Sequence, residues 1–207
     1  MLGSKQTQHL SLCICRSESK IETQKREMEV AAFYSKSRDV DDIGAGFKDW
    51  RKRLSNFWPV QITVGGRMYA SVEHAFHAAK ARCSDKPAYA EAFECGGTVG
   101  AAPAKAKAAG GRRGFAKAGA VLHTVLWDRE RDGATMAALR ARAQCDTEFC
   151  TILRRTAELR LRLLHYDGRG GAASYWGGKI DKMSGCVVGH NRLGEMLMEL
   201  RDEFSTQ

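Results

Sequence analysis

The chain has 207 residues, enough to bury one sizeable core in one domain. Hydrophobic residues make up 43% and charged residues 28%, and no apolar run has the length needed to cross a bilayer. The seven cysteines are odd in number and scattered, and no secretory segment precedes them, which argues against a disulfide framework and for the reduced thiols of cytoplasm or nucleus. Residues 1–29 carry mixed charge and only a short apolar patch, and are expected to be a disordered extension or an upstream start, with Met28 an alternative beginning. Residues 30–207 form the expected domain.

In chain order, Val30 to Trp50 is irregular, beginning with a short apolar stretch to Tyr34. Gln61 to Ala70 predicts a hairpin, because Ile62 and Val64 alternate, Gly65-Gly66 turns, and Met68-Tyr69 returns. A helix follows over Val72 to Arg82, with Ser71 as N-cap. Asp85 to Glu94 suits a second short helix. Ala101 to Ala109 suits another, with Pro103 in its first turn and Gly110-Gly111 ending it. Phe115 to Leu164 is helical in composition, with expected breaks near Asp132-Gly133 and Cys145 to Thr147. Its stripe of Leu139, Phe149, Leu153, Leu159 and Leu163 reads as core. Asp167 to Ala173 is a glycine-rich loop, Ser174 to His190 is irregular, and a last helix starts near Asn191 with Leu193, Leu197, Leu200 and Phe204 inward. The expected fold is mainly α: a single multihelical domain with a small β-hairpin.

The formal net charge of +9 is uneven along the chain. No acidic residue lies between Glu94 and Asp128, while Lys105, Lys107, Arg112, Arg113 and Lys117 do. Such a field suits a polyanion, a pyrophosphate or a nucleic-acid backbone; it also suits a basic, alanine-rich surface helix. No P-loop, nucleophile elbow, metalloprotease motif or dinucleotide fingerprint occurs, so ATP-driven and nicotinamide chemistry drop out. His74 and His77 have no companion pair at metal-ligand spacing, so neither a metal nor a cofactor is expected.

Glu73, His77 and Lys80 fall on one helical face beside the apolar stripe of Val72, Phe76, Ala79 and Cys83. Periodicity alone makes this an amphipathic helix with a solvated polar edge. A carboxylate, an imidazole and an amine aligned on one element also suit proton transfer or nucleophilic catalysis.

The ordered motifs are Leu54-Ser55-Asn56-Phe57, then Ser-Val-Glu-His-Ala-Phe-His-Ala-Ala-Lys over 71–80, and Pro103 with Lys105. After them come Gly111-Arg112, Trp127 with Met136, Tyr175-Trp176-Gly177, Gly-His-Asn-Arg-Leu-Gly over 189–194 and Leu-Met-Glu-Leu-Arg over 197–201. Together, from about Phe33 to Phe204, this set resembles the NADAR (YbiA-like) family. The resemblance implies an N-glycosidase that splits a ribose C1′–N bond, either of ADP-ribose on the guanine amino group in nucleic acid or of phosphoribosylamino-pyrimidine intermediates of riboflavin synthesis. A non-catalytic ADP-ribose reader is the alternative of another class. The favoured substrate is ADP-ribosylated guanine in a nucleoside or nucleic acid.

On that resemblance Glu73 serves as charge stabiliser or general acid/base, and Lys80 as a Schiff-base nucleophile. Asn56, Phe57, His77, Arg112, Trp127, Tyr175, Trp176, Gly177 and Asn191 match ligand-binding positions. Read as residues alone, the tryptophans equally suit a core, the asparagines turn caps and Arg112 a solvated charge. The chain departs from the family pattern where Ala173 stands three residues before Trp176-Gly177, in place of the usual Asp. Asp167 and Asp181 are the candidates to replace it; if neither reaches the pocket, the chain either needs no second carboxylate or has reduced activity. The family's Lys-Phe before the second long helix is here Gln144-Cys145.

Overall fold

The structure is a computed structural model that describes residues 29–39, 41–168 and 173–204. The expected N-terminal extension lies outside the described residues except for Glu29. The elements run β1 (Val30–Phe33), α1 (Trp50–Arg53), β2 (Ile62–Val64), β3 (Arg67–Tyr69), α2 (Val72–Arg82), a 3-10 helix over Pro87–Phe93 and α3 (Pro103–Ala109). They continue with α4 (Arg112–Ala118), α5 (Thr124–Cys145), α6 (Thr147–Glu158), β4 (Arg162–His165), β5 (Lys179–Ile180), β6 (Val187–Val188) and α7 (Arg192–Glu203). The architecture is mainly α, and among the described residues no helix is long and apolar enough to cross a membrane.

The β2–β3 hairpin forms as expected, with Ile62 opposite Tyr69 in antiparallel register. It leads into α2, whose Ser71 side chain accepts from the His74 N–H. Helix α2 is the central element, packed against the 3-10 helix, α5 and α3. Ala75, Ala78 and Ala81 let those neighbours approach closely, and Glu73, His74 and His77 are buried as well. The solvated polar edge expected from periodicity therefore does not exist: other elements cover that side too.

Helix α5 runs unbroken through Asp132-Gly133, where a break was expected. A glycine costs a helix interior only about 1 kcal/mol, and Asp132 is pinned by Tyr175 (2.7 Å) and Arg192 (2.8 Å). The break after Cys145 is real, and Asp146 caps α6 by accepting from the Phe149 N–H at 3.0 Å.

The expected helix to Leu164 is corrected. Arg160 takes a left-handed φ of 53° and ends the helical run. Arg162–His165 are then extended as β4, which pairs in parallel with β1, Val30 opposite Arg162 and Phe33 opposite His165. The stretch expected to be irregular is thus a strand at its start. Leu163 and Leu164 are fully buried, and a continuous apolar run in a covered strand carries the same composition as a buried helix. Leu159, assigned to the core stripe, is 41% exposed. Ser174 to His190 contains the short β5–β6 pair.

Candidate active site

A cavity of about 1210 Å3 opens where α2, the Ser55–Phe57 turn, the α3–α4 corner and the end of β4 converge. Helix α2 contributes Glu73, Phe76, His77 and Lys80 to its wall, and Lys107, Gly110 and Gly111 come from the corner. Residues 34–36 after β1, His165 at the end of β4 with Tyr166 to Gly168 after it, Trp176 and Leu193 complete it.

Glu73 is only 8% exposed, and its Oε1 accepts from His77 Nε2 at 3.1 Å, the one-turn spacing of the helix. His77 Nδ1 is a buried atom without a hydrogen-bond partner among the described residues. Nδ1 faces the Gly110 backbone so closely that any Cβ at Gly110 would overlap the ring. The glycine at the α3–α4 corner is therefore required by the close approach of two elements, beyond its role in ending α3. Lys80, one turn further, donates from Nζ to the Gly110 carbonyl at 3.0 Å and sits 5.4 Å from the Phe115 ring centre. Burial holds its amine below the usual lysine value of 10.5.

The opposite wall is fixed by buried polar contacts. Asn56 accepts the Glu73 N–H through its backbone carbonyl at 3.1 Å, satisfying an otherwise open donor of the first α2 turn. Its side-chain Oδ1 is buried without a partner among the described residues. The turn is held from beneath by Arg142, fully buried, which donates to the carbonyls of Ser55 (3.2 Å) and Arg53 (2.6 Å) and pairs with Asp146 (2.9 Å). Phe57 lies under the Lys107 ammonium at 5.4 Å. Phe76 and Trp176 meet edge to face at 5.3 Å on the cavity wall.

This is a YbiA-like fold. The NMR structure of the E. coli protein YbiA matches with a TM-score of 0.60 and 26% identity, covering 87% of this chain and 87% of that one. By sequence, neither a family model nor a curated protein matches.

Within this YbiA-like fold the cavity brings together Asn56, Phe57, Glu73, His77, Lys80 and Trp176 of the residues singled out from sequence. The others stand behind or beside it. Trp127 is buried against the Phe76 edge at 5.1 Å and does not line the cavity. Arg112 is exposed at the start of α4, next to the lining Gly111. Tyr175 anchors its loop to α5 through its hydroxyl on Asp132, with the Arg131 guanidinium 3.6 Å from its ring centre.

Asn191, expected to contact ribose or cap a turn, spends both ends of its amide on β4. Oδ1 accepts from His165 N at 2.9 Å and Nδ2 donates to Leu163 O at 2.8 Å. It takes φ of 51°, a conformation asparagine tolerates better than most residues. Gly177 lets its loop lie against the His165 carbonyl, which a Cβ would strike. Asn191 and Gly177 thus hold the strand end that carries His165 and Asp167 to the cavity.

Of the two carboxylates weighed as replacements at Ala173, Asp167 lines the cavity and accepts from Ser174 Oγ at 2.8 Å. Asp181 is turned into its own loop, accepting from Ser184 and Met183. Sequence reading missed Tyr34, Lys36, His165 and Tyr166 as lining residues. Their signal was absent because the β1–β4 pairing that joins them spans most of the chain. Lys107 was visible only as one charge of the acid-free window.

Proposed function

We propose that this protein is an N-glycosidase that releases ADP-ribose from the amino group of guanine in nucleic acid. The observation that carries this reading is the buried Glu73–His77 pair and the half-buried Lys80 amine on one helix, opening into a cavity also lined by Lys36 and Lys107. The likeness to YbiA and the ordered motifs support it. The cavity volume accommodates a pyrophosphate-bearing ligand, and Phe76 and Trp176 offer an aromatic wall for a base.

The chemistry follows from the groups present. The substrate's furanose opens when O4′ takes a proton and the exocyclic nitrogen lone pair forms C1′=N. Neutral Lys80 adds its amine to C1′, and the guanine amine leaves with a proton, giving a Lys80–C1′ imine. Water then adds to that imine and releases the free sugar and the lysine. Glu73, oriented by His77, carries the proton between O4′, the departing nitrogen and water, and its charge offsets the positive charge that builds at C1′.

Mass spectrometry after incubation with a guanine-ADP-ribosylated oligonucleotide tests the proposal, with release of free ADP-ribose the expected result. Release of ribose phosphate from phosphoribosylamino-uracil alone would favour a pyrimidine-intermediate glycosidase. Binding of ADP-ribose without release from either substrate would make the protein a reader.

A further inference from the structure

A second groove of about 690 Å3 lies beside the cavity, lined by Tyr34, Lys36, Ser37, Arg38, Arg51 and Tyr166 among others. Tyr34, Lys36 and Tyr166 line both, so the groove continues the cavity past the ends of β1 and β4. Among the described residues its lining contains three cationic side chains and no carboxylate. Arg51 is tied to the Asp39 carboxylate and donates to the Arg38 carbonyl at 3.1 Å, while Lys36 and Arg38 are exposed. Tyr34 and Tyr166 are 37% and 46% exposed, with ring centres 5.6 Å apart and planes inclined at 57°. The turn presenting Tyr34 and Lys36 is fixed by Ser37, whose Oγ accepts from Tyr34 N at 2.9 Å.

Exposed aromatic rings beside a line of cations are what a single nucleic-acid strand needs, with bases stacking and phosphates neutralised. The first cavity already exceeds the range of about 300–1,000 Å3 typical of small-ligand sites, so an ADP-ribosyl group and its base do not require the second space. We propose that this groove binds the single-stranded nucleotides flanking the modified guanine, Tyr34 and Tyr166 stacking on a base and Lys36 and Arg38 meeting phosphates. A single strand is the fitting form because a base worked on at its pairing edge must leave the stack. The guanine's identity rests on the N-glycosidase reading; strand binding does not.

Fluorescence anisotropy with a labelled, unmodified single strand of about 12 nucleotides, within the site sizes of such grooves, tests the groove without any turnover. Arg38→Glu should weaken binding about tenfold or more and lower the salt slope by about one or more. Tyr166→Ala should weaken it by about 5- to 100-fold. Arg140→Glu makes the same charge change where Arg140 pairs with Glu203, at the far end of α7 from the cavity-lining Leu193, and should leave affinity unaltered. Equal affinity of Arg38→Glu and wild type, or an equal loss in Arg140→Glu, overturns the groove. In turnover, Arg38→Glu should lower kcat/KM for the ADP-ribosylated oligonucleotide and not for ADP-ribosylated guanosine. Arg38-dependent strand binding with no release from either substrate would overturn the glycosidase reading and leave the groove standing.

Discussion

At the scale of single residues, Lys80 is distinguished by where its amine points. It donates to a backbone carbonyl, Gly110 O, and forms no ion pair among the described residues, so burial is not offset by a carboxylate and the neutral form gains. If that neutral amine is the nucleophile, the ascending limb of kcat against pH should level off below 10.5, the ordinary lysine value. Borohydride reduction during turnover should leave a sugar adduct on wild type and none on Lys80→Ala; its absence from wild type would remove the Schiff base from the mechanism. Glu73→Gln keeps the shape of the pair with His77 and removes the charge, and should lower kcat by about 100- to 10,000-fold with ADP-ribose affinity changed far less. These residues were legible in the sequence because they share one helix, where spacing converts directly into a common face. His165 and Tyr166 were not, since a strand's partner across 132 positions leaves no periodic trace.

At the scale of elements, the site depends on supports that touch no substrate. Arg142 fastens the Ser55–Phe57 turn to α5, and Arg142→Met would strip the turn's carbonyls and leave Asp146 without its buried partner. Loss of one member of such a pair costs about 3–5 kcal/mol, which urea unfolding should register. Asn191→Ala removes both amide bonds between the start of α7 and β4. It should cost about 2–6 kcal/mol, the sum over two backbone groups left without a partner. It should also lower kcat, by releasing the strand end that carries His165. The asparagine was visible in its motif, yet only the structure gives its amide to the backbone of β4. Similarly, the unbroken α5 shows that Asp132-Gly133, a turn signal taken alone, yields to the tertiary contacts of Asp132 with Tyr175 and Arg192.

For the whole molecule, two desolvated imidazoles set a lower pH limit. His74 is bonded between Ser71 and Gly100, His165 against the Trp176 carbonyl, and burial holds both below the ordinary value of 6.5. The folded state then binds fewer protons than the unfolded one as pH falls through 6.5. Stability is full above that value and declines below it, by up to about 1.4 kcal/mol per pH unit for each group. Urea midpoints between pH 7.5 and 5 should fall accordingly, and a flat profile would refute the account. The mainly helical class was legible from composition and from the helix signals at 72–82, at 101–109 and from about 191 onward. The strand pair was not, because its two halves reveal themselves only to each other. That pairing of Val30–Phe33 with Arg162–His165 has a consequence for biosynthesis. A growing chain on the ribosome has Glu73 and Lys80 in hand before the wall that faces them, which waits for Arg162–His165 and the residues after it. The cavity therefore closes only once β4 has been made, and shorter translation products carry Glu73 and Lys80 without that wall.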